Sequence, residues 1–245
     1  MTTGKTPKAR ILALIPARGG SQRVTGKNLR EIASKPLIKW TIDAVLASGL
    51  ADRIMVSTDS NAIAQVALDA GAEVPFMRPD LLASNTATTV DVVAHALDFV
   101  EAEGQRYDYL LLLQPTSPLR TSEHIQAALS LLMMRKADAV ISVCPAEHSP
   151  LWCKTLPDDL AMDSFLPSQQ ATQRSQDLEQ YYRLNGSIYL VNCERFRAEN
   201  SFFLSSNSYG YCMPAESSVD IDTELDFKWA EFLLNERQRS PTKRA

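Results

Sequence analysis

The chain is 245 residues long, 45% hydrophobic and 22% charged, enough for one large α/β domain or a domain with a smaller appendage. A formal net charge of −4 with histidines neutral, and only 7% aromatic residues, exclude the broad basic field and stacking surface of a general nucleic-acid binder. Any anion site must then be a local concentration of positive charge.

Strand and helix patterns alternate from the start. RILALIP (10–16) is a nearly continuous apolar run, as in a strand covered on both faces. Its core, Ile11 to Ile15, is too short for a signal segment or a membrane span, so the expectation is a cytoplasmic protein with no membrane partner. KPLIKWTIDAVLASG (35–49) sets Leu37, Ile38, Thr41, Ile42 and Val45 on one side at helical spacing, with Gly49 placed to end the helix. RIMVSTD (53–59) predicts the second strand, and SNAIAQVALDAG (60–71) a helix capped by Ser60 and stopped by Gly71. AEVPFMRP (72–79) reads as a weak third strand or a loop.

TTVDVVAHALDFVEAEG (88–104) is an amphipathic helix, YDYLLLLQP (107–115) a deeply buried strand and SEHIQAALSLLMMRK (122–136) the next helix. ADAVISVCPAE (137–147) returns to strand. This βαβα rhythm predicts a mainly parallel sheet with helices on both faces. Residues 146–180, with Pro150, Pro157 and Pro167, break the rhythm and read as an excursion, either a lid or an oligomer arm. GSIYLVN (186–192) is strand again, SSVDIDTELDFKWAEFLLNERQ (217–238) a strand end running into a final helix, and RSPTKRA (239–245) a frayed tail.

Three stretches carry chemistry. LIPARGGSQRVTGKN (14–28) follows the first strand, where open parallel sheets place their ligands. Its glycines allow tight bends that aim N–H groups at an anion, and Arg18, Arg23 and Lys27 add charge, which suits phosphate. It is neither a Walker A loop, having one residue too many between Gly20 and Gly26 and Asn28 in place of the hydroxyl residue, nor a G-x-G-x-x-G turn. In SVDIDTELDF (218–227), Asp220 and Asp222 share a face if the chain is extended, with Val219 and Ile221 turned to the core. Such a pair reads either as a seat for Mg²⁺ or as the start of the last helix, with Asp222 or Thr223 capping and Asp226 completing the box. In LLLLQPTSPLR (110–120) a strand delivers Gln114, Thr116, Ser117 and Arg120 past Pro115 and Pro118. This is a proline-shaped connection or a polar platform for a hydroxylated substrate. Cys144, Cys153, Cys193 and Cys212 form no CxxC pair and have no zinc-like spacing with His95, His124 or His148, so reduced thiols are expected.

Together IPARGGSQRVTGKN, KPLIKWTIDA, VSTD, RPDLLASNTATT, LLQPTSPLR, RLNGSIYL and SVDIDTELDF resemble the acylneuraminate cytidylyltransferases, or CMP-sialic acid synthetases, in the family's order from about residue 11 to 235. The resemblance implies a Rossmann-like nucleotidyltransferase domain at 10–145 and 181–238, with 146–180 a dimerisation extension or lid, and a homodimer. It implies that CTP and a nonulosonic acid give the CMP-sugar and pyrophosphate, with Mg²⁺, or Mn²⁺ in its place. N-acylneuraminate is the first expectation; legionaminic, pseudaminic or Kdo acid, or an inactive nucleotide-binding homologue, are the alternatives.

By the same resemblance Arg18, Lys27 and Asp222 are catalytic, and Asp220 and Asp222 hold the metal. Ala17, Arg18, Gly19, Asn28, Arg78, Ala87 and Thr89 surround the nucleotide. Gln114, Asn185, Tyr189, Phe202 and Phe203 face the sugar, and Lys154 and Arg174 reach from the arm toward a neighbouring subunit's sugar carboxylate. No histidine falls in a matching motif, so no general base is assigned. Gln22 stands where many family members have Lys, Asn85 where Asp is frequent, and Ser34 where Gly is usual; none of these touches Arg18, Lys27 or Asp222.

Overall fold

Alternate residues of the first strand, β1 (Ile11–Pro16), pack into two different hydrophobic cores, and that decides the architecture. In this computed structural model, which describes residues 9–21, 23–163, 165–166, 174 and 178–239, Ile11, Ala13 and Ile15 face one core. There they meet Ile38, Ile42 and Val45 of α1 (Leu37–Ser48) and Ile125, Ala128 and Leu132 of α5 (Ser122–Arg135). Leu12 and Leu14 face the other, with Val93, Ala96, Leu97 and Val100 of α4 (Thr89–Ala102). A strand buried on both sides with helices over each face is the three-layer α/β arrangement, and each buried aliphatic side chain adds about 1.5–3 kcal/mol.

The sheet runs β4 (Arg53–Ser57), β1, β5 (Tyr109–Leu112), β7 (Tyr182–Asn192), β6 (Ala139–Pro145), β8 (Ser208–Cys212). Of these six strands β7 runs antiparallel to both neighbours; the other contacts are parallel. The chain leaves β1 for β4 on one side and returns to β5 on the other, so the strand order reverses at β1. Its carboxyl end therefore opens the crevice where such sheets bind ligands.

Local signals act largely as the sequence suggests. Gly49 ends α1 with φ 64°, Ser60 Oγ accepts from Ile63 N at 3.4 Å ahead of α2 (Asn61–Asp69), and Thr88 with Asp91 boxes the start of α4. Of the two readings of the 72–79 stretch it is the loop that forms, with only isolated bridges, Met55 with Glu73 and Thr58 with Met77. Two readings are corrected. The first helix begins at Leu37 because Lys35 and Pro36 pair with β2 (Glu31–Ile32) as β3 (Lys35–Pro36). The 217–223 stretch is not a strand: a 3₁₀ turn, Ala215–Ser217, leads into an extended tether held by Ile221 N to Thr116 O at 2.9 Å.

The elements with no counterpart in the sequence reading are α6 (Cys193–Glu199), which carries Phe196 into the core, the edge strand β8, and the short β2 and α3 (Asp80–Ala83). β6 and β7 pair from Ala139 opposite Val191 out to Pro145 opposite Tyr182, and Ala146 N donates to Tyr181 O at 2.8 Å. The excursion thus leaves and rejoins the sheet at one point, through the 3₁₀ turn Pro150–Trp152. Within it 164, 167–173 and 175–177, with Pro167, lie outside the described residues, as do Gln22 in the first loop, the basic start at 1–8 and the tail at 240–245. Cys144 and Cys193 are buried and Cys153 and Cys212 exposed, all free thiols. Among the described residues no helix is long and apolar enough to cross a membrane.

A third core brings the distant charged stretches together. Val24 from the first loop, Ile32 and Ala33 from the small hairpin, Leu119, and Ile221 with Phe227, Ala230 and Leu234 of α7 (Glu224–Arg239) form one cluster. Val24 lies between Arg23 and Lys27, and Ile221 between Asp220 and Asp222. Burying the apolar member of each stretch draws its charged flanks to the same place.

Candidate active site

At the carboxyl end of β1 lies a cavity of about 480 Å³. Its lining includes Arg18, Arg23, Lys27 and Arg78 against one lining carboxylate, Asp222. In an acidic chain this is the local concentration of positive charge that an anionic ligand requires.

The cations are held differently. Arg18 crosses the cavity mouth and donates to Asn85 Oδ1 at 3.0 Å and Ser84 O at 3.3 Å. Asn85 offers an amide oxygen and no charge, so the Arg18 guanidinium is held without being neutralised there. Lys27 Nζ donates to Ile221 O at 2.5 Å, tying the first loop to the aspartate stretch. Burial lowers its pKa, while Asp222 and Asp220 act the other way. Arg78 is buried, donates to Ser57 Oγ at 3.0 Å and to the Ser57 carbonyl, and is lowered to about 10 by burial, with Asp59 opposing. It remains a cation at neutral pH.

The aspartates divide the work that the sequence left open. Asp226 Oδ2 accepts from Thr223 N at 2.7 Å and from Asp222 N at 3.1 Å, and Thr223 Oγ1 accepts from Asp226 N at 3.3 Å. The helix start is thus satisfied by Thr223 and Asp226, and the Asp222 carboxylate stays on the cavity, 2.8 Å from Arg23. Asp220 is more deeply placed. Its Oδ1 is buried with no hydrogen-bond partner, and burial raises its pKa, with Thr116 countering and Asp222 adding to the rise.

A carboxylate forced toward neutrality by folding reduces stability at neutral pH. The folded-state pKa lies above the unfolded value, so the folded form binds more protons and loses stability as pH rises through that pKa. Asp220→Asn therefore melts higher than wild type at pH 7 in EDTA, by roughly 2–4 °C for each kcal/mol relieved, and the difference narrows in acid. Calorimetry at two pH values checks this.

Ala87, Thr89, Asn28 and Gln114 also line the cavity. Asn28 is buried, with Nδ2 donating to Arg18 O at 3.0 Å, so it shapes the loop that presents Arg18. Ala17 is buried behind the cavity, its N–H donating to Ser57 O at 2.9 Å. The Gly19 N–H is taken by Asp59 Oδ1 at 2.8 Å and is not aimed at the cavity. A Cβ at Gly19 would stand 3.1 Å from Ser60 Cβ, which is why the loop needs glycine there.

Several expected substrate residues are elsewhere. The Asn185 amide is engaged inside the protein: Oδ1 accepts from Ser142 Oγ at 2.6 Å and Nδ2 donates to Ser218 Oγ at 2.9 Å. Ser117 and Arg120, read as part of a polar platform, also turn inward. Arg120 donates to Ser187 O at 2.8 Å, Gln114 O at 3.2 Å and Thr41 Oγ1 at 2.6 Å, and burial lowers it to about 9. It ties α1, the connection after β5 and β7 together. Tyr189 packs on Phe202 at 5.3 Å and Phe203 at 6.5 Å. Burial raises the Tyr189 pKa, and the charge of Asp220 adds to the rise. Phe202 is buried and Phe203 is 57% exposed. Lys154 and Arg174 are exposed and do not line the cavity.

Sequence reasoning gave no role to Asp59 or Ser84, nor to the Arg183–Glu147 pair, 2.7 Å apart, whose arginine feels Asp220. Asp59 had a usable signal, since it stands just beyond the carboxyl end of a parallel strand beside β1. Ser84 and Glu147 lie on irregular chain, where periodicity is silent, and Arg183 sits at the start of the pairing in β7.

The cytidylyltransferase sequence profile matches residues 12–190. The chain belongs to the cytidylyltransferase family. It is 38% identical over 237 residues to a CMP-N,N'-diacetyllegionaminic acid synthase of Legionella pneumophila, covering 94% of this chain and 99% of that one. It is 37% identical over 219 residues to an N-acylneuraminate cytidylyltransferase of Streptococcus agalactiae serotype V. That match covers 88% of this chain and 51% of that one, so the chain spans about half that relative's length. A CMP:2-keto-3-deoxy-manno-octonic acid synthetase complexed with CTP matches with a TM-score of 0.67 at 16% identity, over 94% of this chain and 100% of that chain. The shared fold is the Rossmann-like nucleotidyltransferase fold.

Within that fold Gly186 marks the inner end of the site. It has φ +68°, and a Cβ there would lie 3.4 Å from Asp220 Oδ2 and 3.5 Å from Gln114 Oε1. Gly186→Ala destabilises by about 1–2 kcal/mol from the left-handed backbone alone. The added methyl would meet both polar groups at ordinary van der Waals distance, so the backbone carries the effect, read as a fall in the denaturation midpoint.

Proposed function

We propose that the chain transfers the cytidylyl group of CTP to a nonulosonic acid, releasing pyrophosphate and forming the CMP-sugar. The carrying observation is one cavity at the carboxyl end of β1 with Arg18, Arg23, Lys27 and Arg78 on it and the Asp220–Asp222 stretch clamped across it. In the reaction the sugar's anomeric oxygen attacks the α-phosphorus, the bond to the bridging oxygen breaks, and pyrophosphate leaves. Both partners are anionic, so the work is positioning and neutralisation. Arg18 and Arg78 grip phosphate oxygens with planar forks, and Lys27 meets the leaving pyrophosphate as a fixed point charge.

Asp220 and Asp222 suit Mg²⁺. Asp220 Oδ1 is a buried acceptor without a donor, and among the described residues no group of three or more His, Cys, Asp or Glu forms a full cage. A two-carboxylate seat leaves the other positions to water and phosphate oxygens, as Mg²⁺ prefers. Bound there, the cation would stabilise the charge of the leaving group. Mn²⁺ is the natural substitute.

The Tyr189, Phe202 and Phe203 group suits the methyl of an acylamido substituent, which favours N-acylneuraminate or an acylated relative over Kdo. The near full-length similarity to the legionaminic acid enzyme favours that sugar as the second reading. Leu156, Leu160 and Met162 are exposed on the excursion, which supports its role as the arm of a homodimer, with Lys154 and Arg174 reaching the partner's sugar. Pyrophosphate release is measured with CTP, Mg²⁺ and a panel of N-acetylneuraminic, legionaminic, pseudaminic and Kdo acids, with ATP, GTP and UTP as controls. CTP-dependent release with an acylated nine-carbon acid is expected; release with none of them overturns the reading.

A further inference from the structure

The first loop puts an arginine against a proposed metal ligand. Arg23 Nη1 lies 2.8 Å from Asp222 Oδ2, with the two side chains 71% and 53% exposed. Both line the cavity. The neighbouring cation, Lys27, is half-buried and fixed on the Ile221 carbonyl at 2.5 Å, and it feels both aspartates. Two carboxylates on one short tether need positive charge nearby. Lys27 supplies one fixed cation, and Arg23 supplies one on a long, solvent-exposed side chain.

We propose that Arg23 is an exchangeable counter-ion of Asp222, one that gives up the carboxylate to a divalent cation and then turns to the triphosphate. The inference rests on the proposed function, because it takes Asp222 as a seat for the cation. The exchange conserves local neutrality: the carboxylate trades a guanidinium for the divalent ion, and the released guanidinium meets the new negative charge of the nucleotide. An exposed ion pair of this kind shifts an equilibrium by about fivefold at most, so the resident arginine screens the site without closing it. Arg18 does not take this part, since its guanidinium is held on Asn85 and Ser84 and not on Asp222. Arg23 therefore makes metal occupancy modestly tighter once nucleotide is bound.

Mn²⁺ binding to the full-length chain without nucleotide is followed by the paramagnetic resonance of the free ion, for wild type, Arg23→Gln, Arg18→Gln and Asp222→Asn. CTP binding is followed by calorimetry at saturating Mg²⁺ with no sugar present. Arg23→Gln is expected to bind Mn²⁺ alone about two- to fivefold more tightly than wild type and CTP severalfold more weakly. Arg18→Gln is expected to leave Mn²⁺ affinity within a smaller margin. If Asp222→Asn loses Mn²⁺ while Arg23→Gln matches wild type, or if Arg18→Gln tightens Mn²⁺ as much as Arg23→Gln does, the exchange is wrong and the carboxylate seat stands. Unchanged CTP affinity in Arg23→Gln also overturns the exchange. If wild type and Asp222→Asn bind Mn²⁺ equally, the seat itself fails and the exchange with it.

Discussion

Asp222→Ala lowers the rate of CMP transfer by about three orders of magnitude, the scale of losing one preorganised electrostatic group at a reacting centre. The folded state is expected to be unaffected. Asp222 is half exposed, and its ion pair with Arg23 is a surface pair worth at most about 1 kcal/mol. The start of α7 does not depend on its side chain, because Thr223 and Asp226 satisfy each other there. The melting temperature therefore stays near wild type while pyrophosphate release collapses. A variant that kept more than a tenth of the wild-type rate would remove Asp222 from the reaction.

Lys27→Met has the second largest effect, a fall of about 10²–10³ in kcat with a smaller change in KM. Lys27 is the cation fastened to the aspartate stretch, through the Ile221 carbonyl, so its charge is already in place as negative charge builds on the departing pyrophosphate. Stability of the ligand-free chain changes by no more than about 1 kcal/mol, because the lost hydrogen bond and the relief of a desolvated charge oppose each other. The sign follows from the pKa. Burial holds the folded-state value below the unfolded one, so at neutral pH the protonated amine is a cost of folding that Met removes. Lys27→Arg recovers part of the rate, since it restores charge but not the short ammonium donor on the Ile221 carbonyl. Steady-state kinetics beside thermal melts separate the two effects. A loss confined to KM would mean that Lys27 only binds ground-state nucleotide.

Much of the site was legible in the chain because its parts sit at the ends of strands. The buried run before Arg18 announced β1, and the glycine- and cation-rich turn after it could only fall at the carboxyl edge of a parallel sheet. Asp220 and Asp222 were legible as a pair, because Ile221 between them demands the core. What misled was the polar run after β5. Gln114 and Thr116 line the cavity, whereas Ser117 and Arg120 turn inward. Past the last sheet pair the two-residue period stops, and Pro115 and Pro118 set directions that no alternation rule records. Asn185 is turned inward in the same way. It lies next to Gly186 with its positive φ, where β7 slips register against β6 between Ile141 and Val143, and its amide ends in an internal network. A buried, satisfied polar side chain has the same letter as a substrate-facing one.

The direction of β7 and the existence of β8 were decided only in three dimensions. An antiparallel strand between two strands that run the other way has the same apolar content as a parallel one, and the edge strand SYGYC is mostly exposed, with no buried face to impose a pattern. By itself the sequence determined most of the buried strands and the long helices, and which loops carry charge, because burial periodicity and capping are local. Only the tertiary structure decided which charges meet. Val24 and Ile221 are almost 200 residues apart along the chain, and they come together because burying both in one core is more favourable than exposing either to water.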